Sequence, residues 1–465
     1  MNHDDLRDWS KRAADWAHDY HMTLRDRPVR AQVSPGETAA KLPASPPEAP
    51  ESPEAIFADF ERIVPDAMTH WQHPRFFAYF PANAAPASMW AEQLANAMAS
   101  NCLIWQASPA ATEIEQVTTD WLRQALGLPE GFTGTIHDSA STCTLSAVIT
   151  MRDRATGWDS VQDGLTGQAL RVYASAQTHS SVDKAVRLAG IGQRNLVKID
   201  TDAAYRMDPA ALERAIEEDR AAGRIPAGLV ICTGGTGIGA LDPAAECIAV
   251  AKKHDLYVHV DAAWAGSAMI CPEFRALWAG VEGADSIVFN PHKWLGVQFD
   301  CSVQFLADPA PQIRSLGLRP DYLQTQGRDE IVNFNEWTVA LGRRFRALKL
   351  WFVLRAYGLE DLRTRIRNHV AWTEELAEAF RATPGFEIVT EPRLALFSFR
   401  YAPEGGDANA ATEALLARIN DDGRVYLTQT VHEGKFVIRV TAGTFDCTRD
   451  DVMAVHEVVT ELARA

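Results

Sequence analysis

The sequence predicts an α/β fold: a large, mainly parallel sheet with helices on both faces, preceded by a helical arm and followed by a smaller α+β domain with its own sheet. Three observations carry this. From about residue 130 to 306, short apolar runs alternate with helical stretches. The runs are RVYAS (171–175), LVKI (196–199), GLVICT (228–233), LYVHVD (256–261), SIVFN (286–290) and CSVQFL (301–306). Between them lie SSVDKAVRLAG, DPAALERAIEEDRAAG and DPAAECIAVAKKHD, several opened by a Ser or Asp able to cap a helix. Strands alternating with helices argue for a parallel sheet buried on both faces, which collects ligands at the carboxyl ends of its strands. Beyond Leu348, a long helical stretch gives way to GFEIVT, RLALFSFRY, VYLTQT and KFVIRV, interleaved with the helical ATEALLARIN and DDVMAVHEVVTELARA. At the other end, Leu6, Trp9, Ala13, Trp16 and Tyr20 recur at spacings of three and four, placing them on one side of a helix. The prolines of Ser34 to Ala55 then impose an extended strap. The expected divisions are 1–85 (arm and strap), 86–350 (large domain) and 351–465 (small domain).

Composition narrows the partners. The chain has 465 residues, 47% hydrophobic and 23% charged, as in an ordinary globular protein. A net charge of -16 repels phosphate backbones, so nucleic acid is not expected, and the basic GRRFRALK (342–349) reads as a solvated helix face. Seven cysteines are scattered without CxxC spacing, which argues against a disulfide framework or zinc site and fits a reducing compartment. The charged N-terminus has no apolar segment of signal type, and no apolar run reaches the ~18 residues of a membrane span. A cytoplasmic protein without membrane partners is expected. The two-tryptophan helix leading into an extended strap suits packing against the body of the protein or a second subunit, and a homodimer is expected.

The chemistry gathers around Lys293 in VFNPHKWLG. It follows the strand-like SIVFN, at the end where ligands collect in this architecture. In partly apolar surroundings the ammonium is disfavoured, and the free amine can attack a carbonyl to form a Schiff base. Pyridoxal phosphate needs three further groups, and each has a candidate. Asp261, at the end of LYVHVD beside the small Ala262 and Ala263, could keep a pyridine nitrogen protonated. Ser139, Ala140, Ser141 and Thr142 precede a helical run and could offer amides and hydroxyls to a phosphate. His179, after RVYAS, could cover a ring face. Each also has a plain reading: Asp261 and the DSAST run as helix caps, His179 as a satisfied core histidine. His259 and Asp261 share a strand face, yet no third ligand of suitable spacing accompanies them, and no metal is expected. CTGGTGIGALD (232–242) imitates a dinucleotide loop, but its glycines do not fit G-x-G-x-x-G.

Jointly, HWQHPRFFAYFP (70–81), ASPAATEIE (107–115), SASTCTL (139–145), THSSVDKA (178–185), HVDAAWAGSA (259–268), NPHKWLG (290–296) and LGRRFRALKLWF (341–352) resemble the aromatic-L-amino-acid decarboxylases. These are group II pyridoxal-phosphate (PLP) decarboxylases of the aspartate-aminotransferase fold, fold type I, and the likeness runs in order along nearly the whole chain. The resemblance implies that Lys293 carries the cofactor, Asp261 pairs with its ring nitrogen and His179 stacks on the ring. Ala140, Ser141 and His292 would hold the phosphate region, with Thr236, Asp242, Ala263 and Asn290 in supporting contacts. Trp71, Tyr79, Phe80 and Pro81 match the substrate-pocket segment, Leu103 would come from the other subunit of a dimer with shared sites, and Tyr322, in the segment 316–330, would deliver a proton to Cα. The implied substrate is an aromatic L-amino acid. Three positions bear on which one. Ala82 stands where relatives often carry Ser or Thr, Asn101 replaces an apolar residue, and Gly342 occupies a position where indole-accepting members tend to have glycine. The alternatives are an aldehyde synthase of the same family, a decarboxylase of a non-aromatic amino acid, and a non-catalytic homologue.

Overall fold

The structure, a computed structural model, describes residues 1–318 and 331–465. By contacts the chain forms two compact units, one of residues 82–370 and 392–396, the other of 1–81, 371–391 and 397–465. This grouping differs from three consecutive segments divided at 85 and 350. The reason lies in the backbone: the amide of Val29 donates to the Gly423 carbonyl (2.9 Å), that of Phe77 to Tyr426 (3.1 Å) and that of Thr441 to Phe77 (3.0 Å). The N-terminal segment therefore shares a unit with C-terminal strands.

Among the described residues the larger unit has seven strands: β1 (Thr133–His137), β2 (Leu170–Ser175), β3 (Leu196–Ile199), β4 (Ile225–Cys232), β5 (Tyr257–Asp261), β6 (Ser286–Phe289) and β7 (Ser302–Leu306). Their order is β1-β7-β6-β5-β4-β2-β3. Strands β3, β2, β4, β5 and β6 run parallel, and β7 is antiparallel to both neighbours. Every residue of β5 and β6 is buried, the pattern of strands covered on both faces. The helix Ala140–Ala155 packs on β4. Gly228 makes that approach possible, since a Cβ there would press on the Met151 side chain and lie 2.9 Å from the Tyr257 carbonyl oxygen.

Strand β1, TGTIH, is absent from the sequence expectation because only Ile136 is a large apolar residue. Polar groups hold it instead. Glu115 Oε1 accepts from the Ile136 amide (2.8 Å) and the Thr135 hydroxyl (3.2 Å), and pairs with Arg343 Nη2 at 2.6 Å. Arg343 in turn donates to the Ile136 carbonyl (2.8 Å). Because Arg343 and Glu115 are both buried, the pair is viable only with these added hydrogen bonds.

The smaller unit carries β8 (Phe386–Arg393), β9 (Leu396–Tyr401), β10 (Thr428–His432) and β11 (Lys435–Thr441), ordered β10-β11-β9-β8, with helices Ala408–Asp422 and Arg449–Arg464. The arm helix His3–Met22 has the expected aromatic face: Trp9 meets Phe57 (5.5 Å between centroids) and Trp16 meets Phe60 (4.8 Å). Among the described residues no helix is long and apolar enough to cross a membrane.

Gly228→Ala is expected to destabilise the protein by about 1–3 kcal/mol, because a methyl between Met151 and the β5 backbone overpacks the helix–sheet contact. Urea unfolding checks it. An unchanged midpoint would mean that the helix can retreat without loss.

Candidate active site

Parallel pairing brings the ends of β4, β5 and β6 level, with Cys232 opposite Asp261 and Asp261 opposite Val288. Beyond them lies a cleft of about 100 Å³, lined by Ser139, Ala140, Ser141, His179, Ser181, Cys232, Gly234, Thr236, Asp261, Ala263, Trp264, Asn290 and Lys293. Eight of the residues expected to bind a cofactor thus meet in one place: Ala140, Ser141, His179, Thr236, Asp261, Ala263, Asn290 and Lys293.

Local chemistry fixes each. Ser139 caps the helix Ala140–Ala155, its hydroxyl accepting from the Thr142 amide (3.2 Å), so the first amides of that helix face the cleft without intrahelical partners. Asp261 is 6% exposed; its Oδ1 accepts from the Ala263 amide (3.0 Å), and its other oxygen makes no hydrogen bond to the described residues. The Ala263 carbonyl accepts from the Asn290 amide (2.8 Å), and Asn290 Oδ1 accepts from the Ser302 hydroxyl (2.7 Å). Lys293 is half-buried on the short helix Pro291–Trp294, its amide donating to the Asn290 carbonyl (2.9 Å) and its carbonyl accepting from Asn83 Nδ2.

His179 caps the helix Ser180–Leu188 with its ring: Nδ1 accepts from the Ser181 amide at 3.2 Å and lies 2.9 Å from the Ser181 hydroxyl. A nitrogen that accepts carries no proton, so the neutral ring is protonated on Nε2. Burial lowers the His179 pKa, with Lys293 adding to the effect and Asp261 opposing it. The ring is therefore a flat, neutral surface at neutral pH.

Other expected residues lie off the cleft wall. Asp242 is buried and accepts from the Met207 and Cys232 amides (both 2.8 Å); burial raises its pKa to about 6. It fixes the end of β4. His292 accepts the Cys301 amide on Nδ1 (2.9 Å) and sits edge-on to Phe299 (4.7 Å); burial first, then Lys293, lowers its pKa to about 3. Leu103 accepts from the Asn335 amide through its carbonyl (3.1 Å). Trp71, Tyr79, Phe80 and Pro81 belong to the smaller unit. There Trp71 and Tyr79 stack (5.7 Å, 16°), 38% and 46% exposed, and Tyr79 adopts φ +51°. Phe80 and Pro81 pack over Gly443, where a Cβ would lie 2.8 Å from the Phe80 ring. Tyr322 lies outside the described residues. His259, weighed as a metal ligand, is a core histidine between the Thr144 (3.2 Å) and Ser286 (2.9 Å) hydroxyls.

Sequence reasoning missed Ser181, Cys232, Gly234 and Trp264 as lining residues. Gly234 had a signal in the glycine run set aside as a dinucleotide imitation. With φ +87°, and with Ala265 Cβ only 2.6 Å from where its own Cβ would stand, it admits no side chain. Trp264 Nε1 donates to its carbonyl at 2.6 Å.

A lysine, a carboxylate, an imidazole face and a capped helix N-terminus around a glycine cradle form a donor set that suits PLP. Residues 35–402 match the pyridoxal-dependent decarboxylase conserved domain. The chain belongs to that family. It is a carboxy-lyase, and its cofactor is pyridoxal phosphate. The aromatic-L-amino-acid decarboxylase of Drosophila simulans is 39% identical over 457 residues, spanning 95% of this chain and 87% of the relative. The phenylacetaldehyde synthase of Arabidopsis thaliana is 38% identical over 459 residues, spanning 95% and 92%. The Oryza sativa TDC solved with PLP and tryptamine superposes with a TM-score of 0.96 at 37% identity, covering all of this chain and 98% of the other. The fold is thus that of the PLP-dependent decarboxylases, fold type I.

The core histidine beneath the site carries a pH signature. Burial lowers the His259 pKa from 6.5 to about 4, so between these values the unfolded chain takes a proton that the native state refuses. Its contribution is full above 6.5 and falls as pH drops towards 4. Asp242, raised from 3.8 to about 6, acts in the opposite direction, its contribution falling as pH rises through that range. Comparing urea stability of the wild type with His259→Asn at several pH values isolates the histidine. The variant should show the shallower loss on acidification, and parallel curves would assign the acid sensitivity elsewhere.

Proposed function

We propose that the protein decarboxylates an aromatic L-amino acid to the amine and carbon dioxide. The observation that carries this is the convergence of Lys293, Asp261, His179 and the Ala140 helix N-terminus on one cleft. The names of the relatives support the aromatic class. Bound PLP supplies an electron sink conjugated to the substrate's Cα.

The protein's residues do the remainder. Lys293 would hold the cofactor through its amine. Asp261 would pair with the ring nitrogen and keep it protonated. The neutral His179 ring would cover one face, and the Ala140 and Ser141 amides with the neighbouring hydroxyls would hold the phosphate, with Thr236 and Asn290 in support. His292 retains Nε2–H as a donor near the phosphate region, Asp242 steadies β4, and Ala263 leaves room for a flat ring. Trp71, Tyr79, Phe80 and Pro81 match the family's substrate-pocket segment, and Tyr322 would donate the proton that Cα needs after carbon dioxide leaves.

The second reading, an aromatic aldehyde synthase, is favoured by the similarity to phenylacetaldehyde synthase. Assaying DOPA, tyrosine, tryptophan, 5-hydroxytryptophan, phenylalanine and glutamate for amine, aldehyde and oxygen uptake separates the readings. Stoichiometric amine without oxygen uptake is expected from at least one aromatic substrate. Aldehyde with matching oxygen consumption would establish the second reading, and turnover of glutamate alone would overturn both. Lys293→Ala should lose the visible absorbance of bound cofactor and nearly all turnover, and Asp261→Asn should lose orders of magnitude in rate even when saturated with PLP.

We further propose a homodimer with shared sites, Leu103 reaching the partner's pocket, in a reducing cytoplasm that suits seven buried, unpaired cysteines. Sedimentation of the active enzyme should give a dimer; full activity from a monomer would exclude shared sites.

A further inference from the structure

Helices Pro209–Ala221 and Ala244–Lys253 pack on each other and on β4, and none of the residues considered next lines the Lys293 cleft. Glu213 and Glu217 are four apart on the first helix and so lie on one face. His254 caps the C-terminus of the second. One donor atom from each of the three falls within 4.8 Å of the others. The carboxylates alone would be an ordinary solvated pair. His254 makes the difference: its side chain is only 9% exposed, yet Nε2 makes no hydrogen bond to the described residues and stands 3.9 Å from Glu213 Oε1. Arg220 Nη2 donates to the His254 carbonyl at 2.7 Å, fixing the backbone that presents this nitrogen.

We propose that Glu213, Glu217 and His254 form a binding site for a first-row divalent cation of the Zn²⁺ type, with one imidazole nitrogen, two carboxylate oxygens and water completing a tetrahedron. Borderline-soft Zn²⁺ suits this mixed nitrogen and oxygen set, and Mg²⁺ and Ca²⁺ prefer oxygen alone. The site has a built-in competitor. Lys253 pairs with Glu213 Oε1, but its side chain is 63% exposed and carries a single charge, so a dication can displace it or take the other oxygen. A bound ion would staple the helix leading into β4 to the helix leading into β5, stabilising the scaffold without touching the reaction.

The test uses tag-free, PLP-saturated enzyme, stripped with chelator and dialysed to equilibrium against Zn²⁺. Wild type should retain one equivalent more than Glu217→Gln, whose substitution on an exposed helix face leaves the fold and turnover intact; loss of this ligand should weaken binding at least about tenfold. Zn²⁺ should raise the unfolding temperature of wild type and not of the variant. Lys253→Ala, which removes the competitor, should bind Zn²⁺ more tightly than wild type. Equal zinc on wild type and Glu217→Gln, whether one equivalent or none, or weaker binding by Lys253→Ala, would overturn the site.

Discussion

The architecture of the site depends on the level register of β4, β5 and β6. Backbone bonds continue that register beyond the strands: the Thr233 amide donates to the Asp261 carbonyl (2.9 Å), and the Ala262 amide to that of Val288 (2.9 Å). Three chain segments far apart in sequence are thereby held at one height, and each places its functional group in the first residues after or at the strand end. Asp261 ends β5, Gly234 and Thr236 follow β4, and Asn290 and Lys293 follow β6. A one-residue slip would turn Asp261 to the opposite face. The buried hydrogen bonds of Asp242 to β4 and of His259 to the Thr144 and Ser286 hydroxyls make such a slip costly, because each leaves buried polar groups unpaired.

Electrostatics follow from that placement. A lysine, an aspartate and a histidine share the cleft, yet their tasks require different charge states. The Ser181 amide settles the histidine by donating to Nδ1, and burial keeps the ring neutral beside a basic neighbour. Asp261 keeps one oxygen on the Ala263 amide, which orients the carboxylate. Orientation here comes from backbone amides of rigid elements, which lose little entropy when a ligand enters.

Much of this was legible in the sequence, and what was not has physical causes. The six apolar runs of the large sheet were visible because five are parallel strands, which are apolar on both faces, and the sixth, the antiparallel β7, is equally buried. Strand β1 was not, because Glu115 and Arg343 supply from elsewhere what its own side chains lack. Lys293, Asp261 and His179 were readable as residues at strand ends, where chemistry collects. Ser181 and Gly234 were harder: one acts through a helix cap, the other through the side chain it does not have. The grouping of the N-terminal segment with C-terminal strands rests on main-chain bonds such as Val29 to Gly423, which side-chain patterns do not report.

Two positions singled out for substrate preference prove to be neighbours. Asn101 Oδ1 accepts from the Arg343 amide at 3.0 Å, and a Cβ on Gly342 would lie 3.7 Å from the Asn101 amide nitrogen, an ordinary contact. Gly342 also lacks the positive φ that would demand glycine. Nothing in its own chain, among the described residues, therefore requires glycine there, in contrast to Gly234 or Gly228, where neighbours forbid a side chain. Asn101 would add a polar amide beside Gly342. The Arg343 backbone ties the position of Asn101 to the buried Glu115 pair that secures β1.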